Sequence, residues 1–148
     1  STPKPSSAAS DVYKRQGMSY GSDAFLLIAE ALNYNDLADL YNLGLNEKLE
    51  TLVEIHDRKN LLTINELCPT IVGVNCRNLK KMELDFSRFE RFFPKLPKDS
   101  LKVAESGFKS SKRIKIVEQL GYDAILMGTS LMKSKNPGKK LERIIKQL

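Results

Sequence analysis

Four short stretches place chemically capable side chains at or just after apolar runs. The first is Leu52-Val53-Glu54-Ile55-His56, with a carboxylate inside a run that otherwise reads as a strand. A carboxylate there is unfavourable unless it is paired or functional. It could act as a general base, or form an internal ion pair with a lysine on a neighbouring strand. His56 reads as a capping or packing histidine and takes no catalytic role. The second stretch is Val72-Gly73-Val74-Asn75-Cys76-Arg77-Asn78-Leu79. Asn75 can orient a hydroxyl or carbonyl, and Arg77 can clamp a carboxylate in bidentate fashion, although both types are ordinary in turns. Cys76 has no base partner in the sequence and reads as structural. The third, Val103-Ala104-Glu105-Ser106-Gly107-Phe108, repeats the carboxylate at Glu105, and Ser106-Gly107 opens a turn with backbone N–H groups to offer. The fourth, Leu126-Met127-Gly128-Thr129-Ser130-Leu131-Met132, has a glycine that permits close backbone approach. After it, Thr129 and Ser130 begin a short helix whose start can hold an anion. Glycine turns after the last two strands are where barrel enzymes commonly hold phosphate.

The elements that must present these residues follow from the apolar pattern. Short runs rich in Val, Ile, Leu and Ala occur at Ala24–Ile28, Thr51–Ile55, Ile71–Val74, Leu101–Ala104 and Ala124–Met127. None alternates with polar residues, which is how strands buried on both faces of a parallel sheet read. The segments between them read as helices. Asn35 to Leu45 carries Leu37, Leu40, Tyr41 and Leu45 on one face. Asp57 caps a helix with Leu61, Leu62, Ile64 and Leu67 inward, ended by Pro69. Phe86, Phe89 and Phe93 have helical spacing and pack a helix onto the sheet. Ser110 or Ser111 caps a helix with Ile114, Val117 and Leu120 inward and Gly121 as its stop. The last helix starts near Pro137 and carries Leu141, Ile144 and Ile145. Five consecutive strand–helix units imply an α/β fold, either an open doubly wound sheet or part of a (β/α) barrel.

Composition sets the outer limits. The chain has 148 residues, 41% hydrophobic and 28% charged, which suits one folded domain. No apolar run reaches the roughly 18–20 residues of a membrane span, so no membrane partner is expected. The balance of 24 Lys+Arg against 18 Asp+Glu gives +6, but aromatics are only 7% and Trp is absent. That excess reads as a solvated basic surface or a preference for an anionic small substrate, and not as a nucleic-acid site. Cys68 and Cys76 form neither a disulfide framework nor a zinc motif, which fits a reducing cytoplasm. Ser1 to Gln16 lacks hydrophobic periodicity and reads as a disordered or non-native leader, with the fold occupying 17–148.

Taken together, these residues resemble the indole-3-glycerol-phosphate synthases of tryptophan biosynthesis. The likeness is carried by Tyr20-Gly21-Ser22-Asp23-Ala24-Phe25-Leu26-Leu27-Ile28, by Leu52 to His56 and by Gly73 to Leu79. It continues in Glu105-Ser106-Gly107 and in Met127 to Met132, and covers Met18 to Leu148. The resemblance implies a TIM (β/α)8 barrel of which about the last five β/α units are present, the fourth to the eighth. It implies a carboxy-lyase that closes the indole ring of 1-(2-carboxyphenylamino)-1-deoxyribulose 5-phosphate with loss of carbon dioxide and water, using no cofactor and no metal. Under it Glu54 is the general base, while Asn75 and Glu105 hold and polarise the substrate. Ser106, Gly107, Gly128 and Thr129 form the phosphate site, and Arg77 lies near the anthranilate end. Ser106 thus serves both substrate and phosphate.

Two departures from the family pattern stand out. Cys76 replaces the second residue of the usual Asn-Asn-Arg run. The Glu and two lysines that the family draws from its first three strands have no match in Ser1 to Gln16. The chain alone is therefore expected to be nearly inactive, with the missing half-barrel or another tryptophan-pathway enzyme as a conceivable partner. Two alternatives remain at this level. One is another phosphate-binding barrel enzyme, of the phosphoribosylanthranilate isomerase or thiazole synthase type. The other is a non-catalytic phosphate-binding half-barrel.

Overall fold

The structure, a computed structural model, describes residues 16–17, 20–78 and 83–148. The expected leader, Gln16 apart, lies outside the described residues, as do Met18, Leu79 and the Lys80-Lys81 pair. All five expected strands are present: β1 Ala24–Ile28, β2 Glu50–Ile55, β3 Ile71–Asn75, β4 Leu101–Glu105 and β5 Ala124–Leu126. Each matches its apolar run to within a residue, because a run of β-branched and aliphatic residues bounded by turn formers has few other ways to bury itself.

The chain forms two compact units, Ser1–Val72 with Pro97–Ser100, and Gly73–Leu96 with Leu101–Leu148. In the first, β1 and β2 are parallel, with Leu26 opposite Leu52 and Ile28 opposite Glu54. Helix α1 (Tyr34–Asn46) starts at Asn33, whose side chain accepts the Asp36 N–H at 2.9 Å. It packs on β1 and β2 through buried Leu37, Leu40 and Tyr41. Asp57 caps a 3-10 turn at Arg58–Asn60, which leads into α2 (Leu61–Leu67). Cys68 ends that helix in the left-handed region, at φ 45°, one residue before Pro69. The Ser100 hydroxyl donates to the Pro69 carbonyl at 2.6 Å and ties 97–100 to this unit.

The second unit keeps β3, β4 and β5 in chain order, with β4 and β5 parallel and Glu105 opposite Leu126. Its helices are α3 (Arg88–Phe92), α4 (Ser111–Leu120), α5 (Thr129–Met132) and α6 (Pro137–Ile145). An aromatic cluster forms its core: Phe89 lies 4.9 Å from Phe86, 5.8 Å from Phe108 and 5.5 Å from Tyr122, between ring centres. Tyr122 also contacts Phe93 and donates its hydroxyl to the Phe89 carbonyl at 3.0 Å. Gly121 stops α4 at φ +100°, and a Cβ there would come within 2.6 Å of the Phe93 ring. Geometry and space thus both require glycine at that stop. Strands in chain order, alternating with helices, are what a segment of a (β/α) barrel requires.

Several packing expectations need correction. Leu45, Leu62, Leu141 and Ile145 are exposed rather than inward, Leu62 at 83%. A short helix buries only a narrow stripe, and these residues fall at its edge or beyond it. Of the three phenylalanines read as one helix, only Phe89 lies within α3; Phe86 precedes it and Phe93 begins a 3-10 turn. Ser110 does occupy the N-cap of α4, but its side chain makes no capping bond. The strands, finally, are not all buried on both faces. Leu26, Leu101 and Leu126 are 50%, 56% and 51% exposed. Alternation puts Leu26 on the Glu54 side of its sheet and Leu101 and Leu126 on the Glu105 side, while Val53, Ile55 and Ala104 on the other sides are fully enclosed.

Candidate functional site

At the end of β2, in the first unit, Glu54 is 4% exposed. Beside it lies a histidine to which sequence reasoning gave no catalytic part. His56 Nε2 lies 2.5 Å from Glu54 Oε1, with both side chains enclosed. The two residues are two apart along an extended chain and so share a side of it. The turn that carries His56 is pinned from the next strand end, where Glu30 Oε1 accepts the N–H groups of both His56 and Asp57 at 2.9 Å.

In the second unit, β3 and β4 bring Asn75 and Glu105 to neighbouring ends. The N–H of Cys76 donates to the Glu105 carbonyl at 3.0 Å, and the Arg88 guanidinium donates to the Asn75 carbonyl at 2.8 Å. Glu105 is fully buried and Asn75 nearly so. The Asn75 side-chain oxygen accepts the Arg77 N–H at 2.9 Å, which fixes the orientation of the carboxamide. Cys76 is enclosed, and burial pushes its thiol pKa up despite the opposing pull of Arg88, Arg77 and Arg113. That agrees with a structural cysteine.

Arg77, Ser106, Gly107, Gly128 and Thr129 all line one cleft of about 500 Å³ within this unit. Ser106 and Gly107 both have positive φ, 71° and 77°. A Cβ on Gly107 would lie 2.9 Å from Cys76 Sγ, so the turn is closed to side chains at that point. The Ser106 N–H is not available as expected, because it donates to the Leu126 carbonyl at 3.1 Å. Gly107 accepts from Arg113 at 2.6 Å, which fixes the turn from the α4 side. Gly128 precedes α5 and faces open space, with no atom within 4 Å of where its Cβ would stand.

The cleft also contains residues that sequence reasoning passed over. Lys109, Lys133 and Lys140 line it with Arg77, and no carboxylate is among the described lining residues. Lys140 reaches back from α6 to donate to the Ser130 carbonyl at 2.8 Å. These lysines belong to runs that read as solvated surface; Lys109 and Lys133 had only their position just after the third and fourth stretches as a signal, and Lys140 had none.

Comparison with known proteins identifies the family. The family profile described as Indole-3-glycerol phosphate synthase matches residues 11–144. Among relatives bearing that name, the chain is 41% identical to one from Aliarcobacter butzleri over 118 residues, covering 80% of this chain and 45% of the relative. It is 35% identical over 130 residues to one from Campylobacter jejuni subsp. doylei, covering 88% and 50%. The chain thus spans about half the length of the curated relatives it matches. Among solved structures it is similar to a thiamine phosphate pyrophosphorylase from Pyrococcus furiosus, with a TM-score of 0.67 at 12% identity. That match covers 95% of this chain and 72% of the other and speaks to the fold alone. With the strand-end signatures and the family profile covering the same stretch, this chain belongs to the indole-3-glycerol phosphate synthase family.

Proposed function

We propose that the chain supplies the phosphate site and part of the acid–base machinery for closing the indole ring of 1-(2-carboxyphenylamino)-1-deoxyribulose 5-phosphate. The observation that carries this is the cleft of the second unit, bordered by Ser106, Gly107, Gly128 and Thr129 and ringed by four cationic side chains. A phosphomonoester fits it by charge, and the open space before Gly128 lets the backbone meet phosphate oxygens directly. Arg77, which lines the cleft and bridges to Leu84, would take the anthranilate carboxylate.

In the reaction the ring carbon bearing the carboxylate attacks the ketone carbon, carbon dioxide leaves, and the resulting hydroxyl departs as water. The Asn75 carboxamide and the Glu105 carboxyl would hold the sugar oxygens, and Glu54 would remove the proton whose loss completes the aromatic ring. The Glu and two lysines of the family's first three strands have no counterpart in these 148 residues, so substrate binding should survive in this chain far better than turnover. Two free cysteines, one exposed and one buried, fit a cytoplasmic setting, and no helix among the described residues is long and apolar enough to cross a membrane.

The test is calorimetric titration with the substrate, its dephosphorylated analogue and inorganic phosphate. Substrate should bind at least about tenfold tighter than the dephosphorylated analogue, and Lys140→Ala should remove most of that difference. Equal affinity for both compounds would sink the phosphate assignment. Indole-glycerol phosphate formation by this chain at a rate ordinary for an enzyme, about 1 per second or more, would sink the division between binding and turnover.

A further inference from the structure

The sequence contains a single histidine, and its surroundings give it a specific task. Two independent attachments converge on His56. The ring is held in contact with Glu54, 2.5 Å from Nε2 to Oε1, at 9% and 5% side-chain exposure. The backbone is held by Glu30, whose Oε1 takes the N–H of His56 and of Asp57. Glu30 lies in the 3-10 turn Ala29–Ala31 directly after β1, and Ile28 at the end of β1 is in register with Glu54. One strand end thus supplies the carboxylate on the His56 backbone, and the next supplies the carboxylate beside its ring.

A general base must stay ionised and aimed while enclosed, and a buried carboxylate tends to lose both properties unless a donor is fixed beside it. In nucleophile–base pairs elsewhere, a third group that orients the base meets this need. We propose that His56 is a positioning residue for Glu54: its ring, in polar contact with the carboxylate at Nε2, keeps it in one orientation, and Glu30 holds the His56 backbone so that the ring cannot swing away. The proposal builds on the reading of Glu54 as the base, but the pairing can be tested without substrate. Glu30, Glu54 and Asp57 are the carboxylates at this strand end, and Asp57 is itself paired to Lys59 at 4.0 Å.

Because there is one imidazole, proton and two-bond 1H–15N NMR spectra of the whole chain report His56 without assignment ambiguity. The wild-type chain should show one downfield, slowly exchanging ring N–H proton. Glu54→Gln should abolish it or move it upfield while the amide spectrum stays folded. Glu30→Gln, which keeps the accepting oxygen, should retain it, and Glu30→Ala should broaden it through faster exchange, by about tenfold or more. A role limited to packing would leave this proton indifferent to Glu54→Gln. Absence of the proton in the wild type, or its persistence unchanged in Glu54→Gln, overturns the proposal. Substrate does not enter the experiment, so a failed phosphate assignment and a failed histidine assignment are told apart.

Discussion

Gly107→Ala is the substitution that most directly tests the phosphate turn. At φ +77° an alanine pays the left-handed penalty of about 1–2 kcal/mol. Its Cβ would also stand 2.9 Å from Cys76 Sγ, a fully enclosed atom with little room to retreat. Overpacking of this kind adds about 1–3 kcal/mol. The sum is roughly 2–5 kcal/mol, a large part of a typical domain's stability. With an m value near ~1.5 kcal/mol/M, the urea midpoint should fall by about 1–3 M. The two contributions separate in a double-mutant cycle. Cys76→Ala alone should cost about 1 kcal/mol for the lost sulfur. With the sulfur gone the clash disappears but the backbone penalty remains, so the double mutant should be more stable than the sum predicts by about 1–2 kcal/mol. Urea unfolding followed by far-ultraviolet circular dichroism measures all four proteins. Additivity within about 0.5 kcal/mol would refute the close approach of Gly107 to Cys76, and a Gly107→Ala protein as stable as the wild type would refute the left-handed turn.

Other outcomes follow from the same structure. Ellman's reagent at pH 8 should titrate one thiol, Cys68, in the folded chain and a second, Cys76, only on unfolding, because Cys76 is enclosed and its pKa is raised. Burial pushes the Tyr122 phenol above its ordinary value of 10.0. The folded state therefore holds this proton longer than the unfolded state, and stability should decline as pH rises above about 10, less steeply in Tyr122→Phe. At neutral pH, Tyr122→Phe should cost about 1 kcal/mol through loss of the buried hydrogen bond to the Phe89 carbonyl, read by thermal melting. The Ser87 hydroxyl, together with Arg91, holds the Asp85 carboxyl below its ordinary value. Its stabilisation is present above about pH 4 and lost as pH falls, and Asp85→Asn should cost less than ~1 kcal/mol, because the Asp85–Arg91 pair is solvent-exposed.

The five strands were legible because each apolar run is bounded by residues that break it, and Val53, Ile55, Val72 and Val74 are fully buried as expected. The turn residues were legible for a related reason: Gly107 and Gly121 sit where the backbone must take positive φ, and their types record that need. Leu62 and Leu126 misled because apolar type does not tell which side of an element faces the core. The Glu54–His56 contact was hidden because a side-chain pair needs a rotamer, and no spacing rule specifies one. Lys140 escaped notice for want of a long-range signal: it joins the cleft only because α6 returns beside α5.

The aromatic residues are divided unevenly between the two units, and this gives each an optical identity. Tyr122 is the only tyrosine of the second unit, where it sits among Phe86, Phe89, Phe93 and Phe108. Among the described residues, the first unit holds Tyr20, Tyr34 and Tyr41 and a single phenylalanine, Phe25. With no tryptophan to mask them, the fine structure of the phenylalanine bands follows the second unit, and tyrosine emission follows mainly the first. A single denaturation experiment read at both signals would show whether the halves of this chain melt together or in turn, with no label attached and no residue replaced.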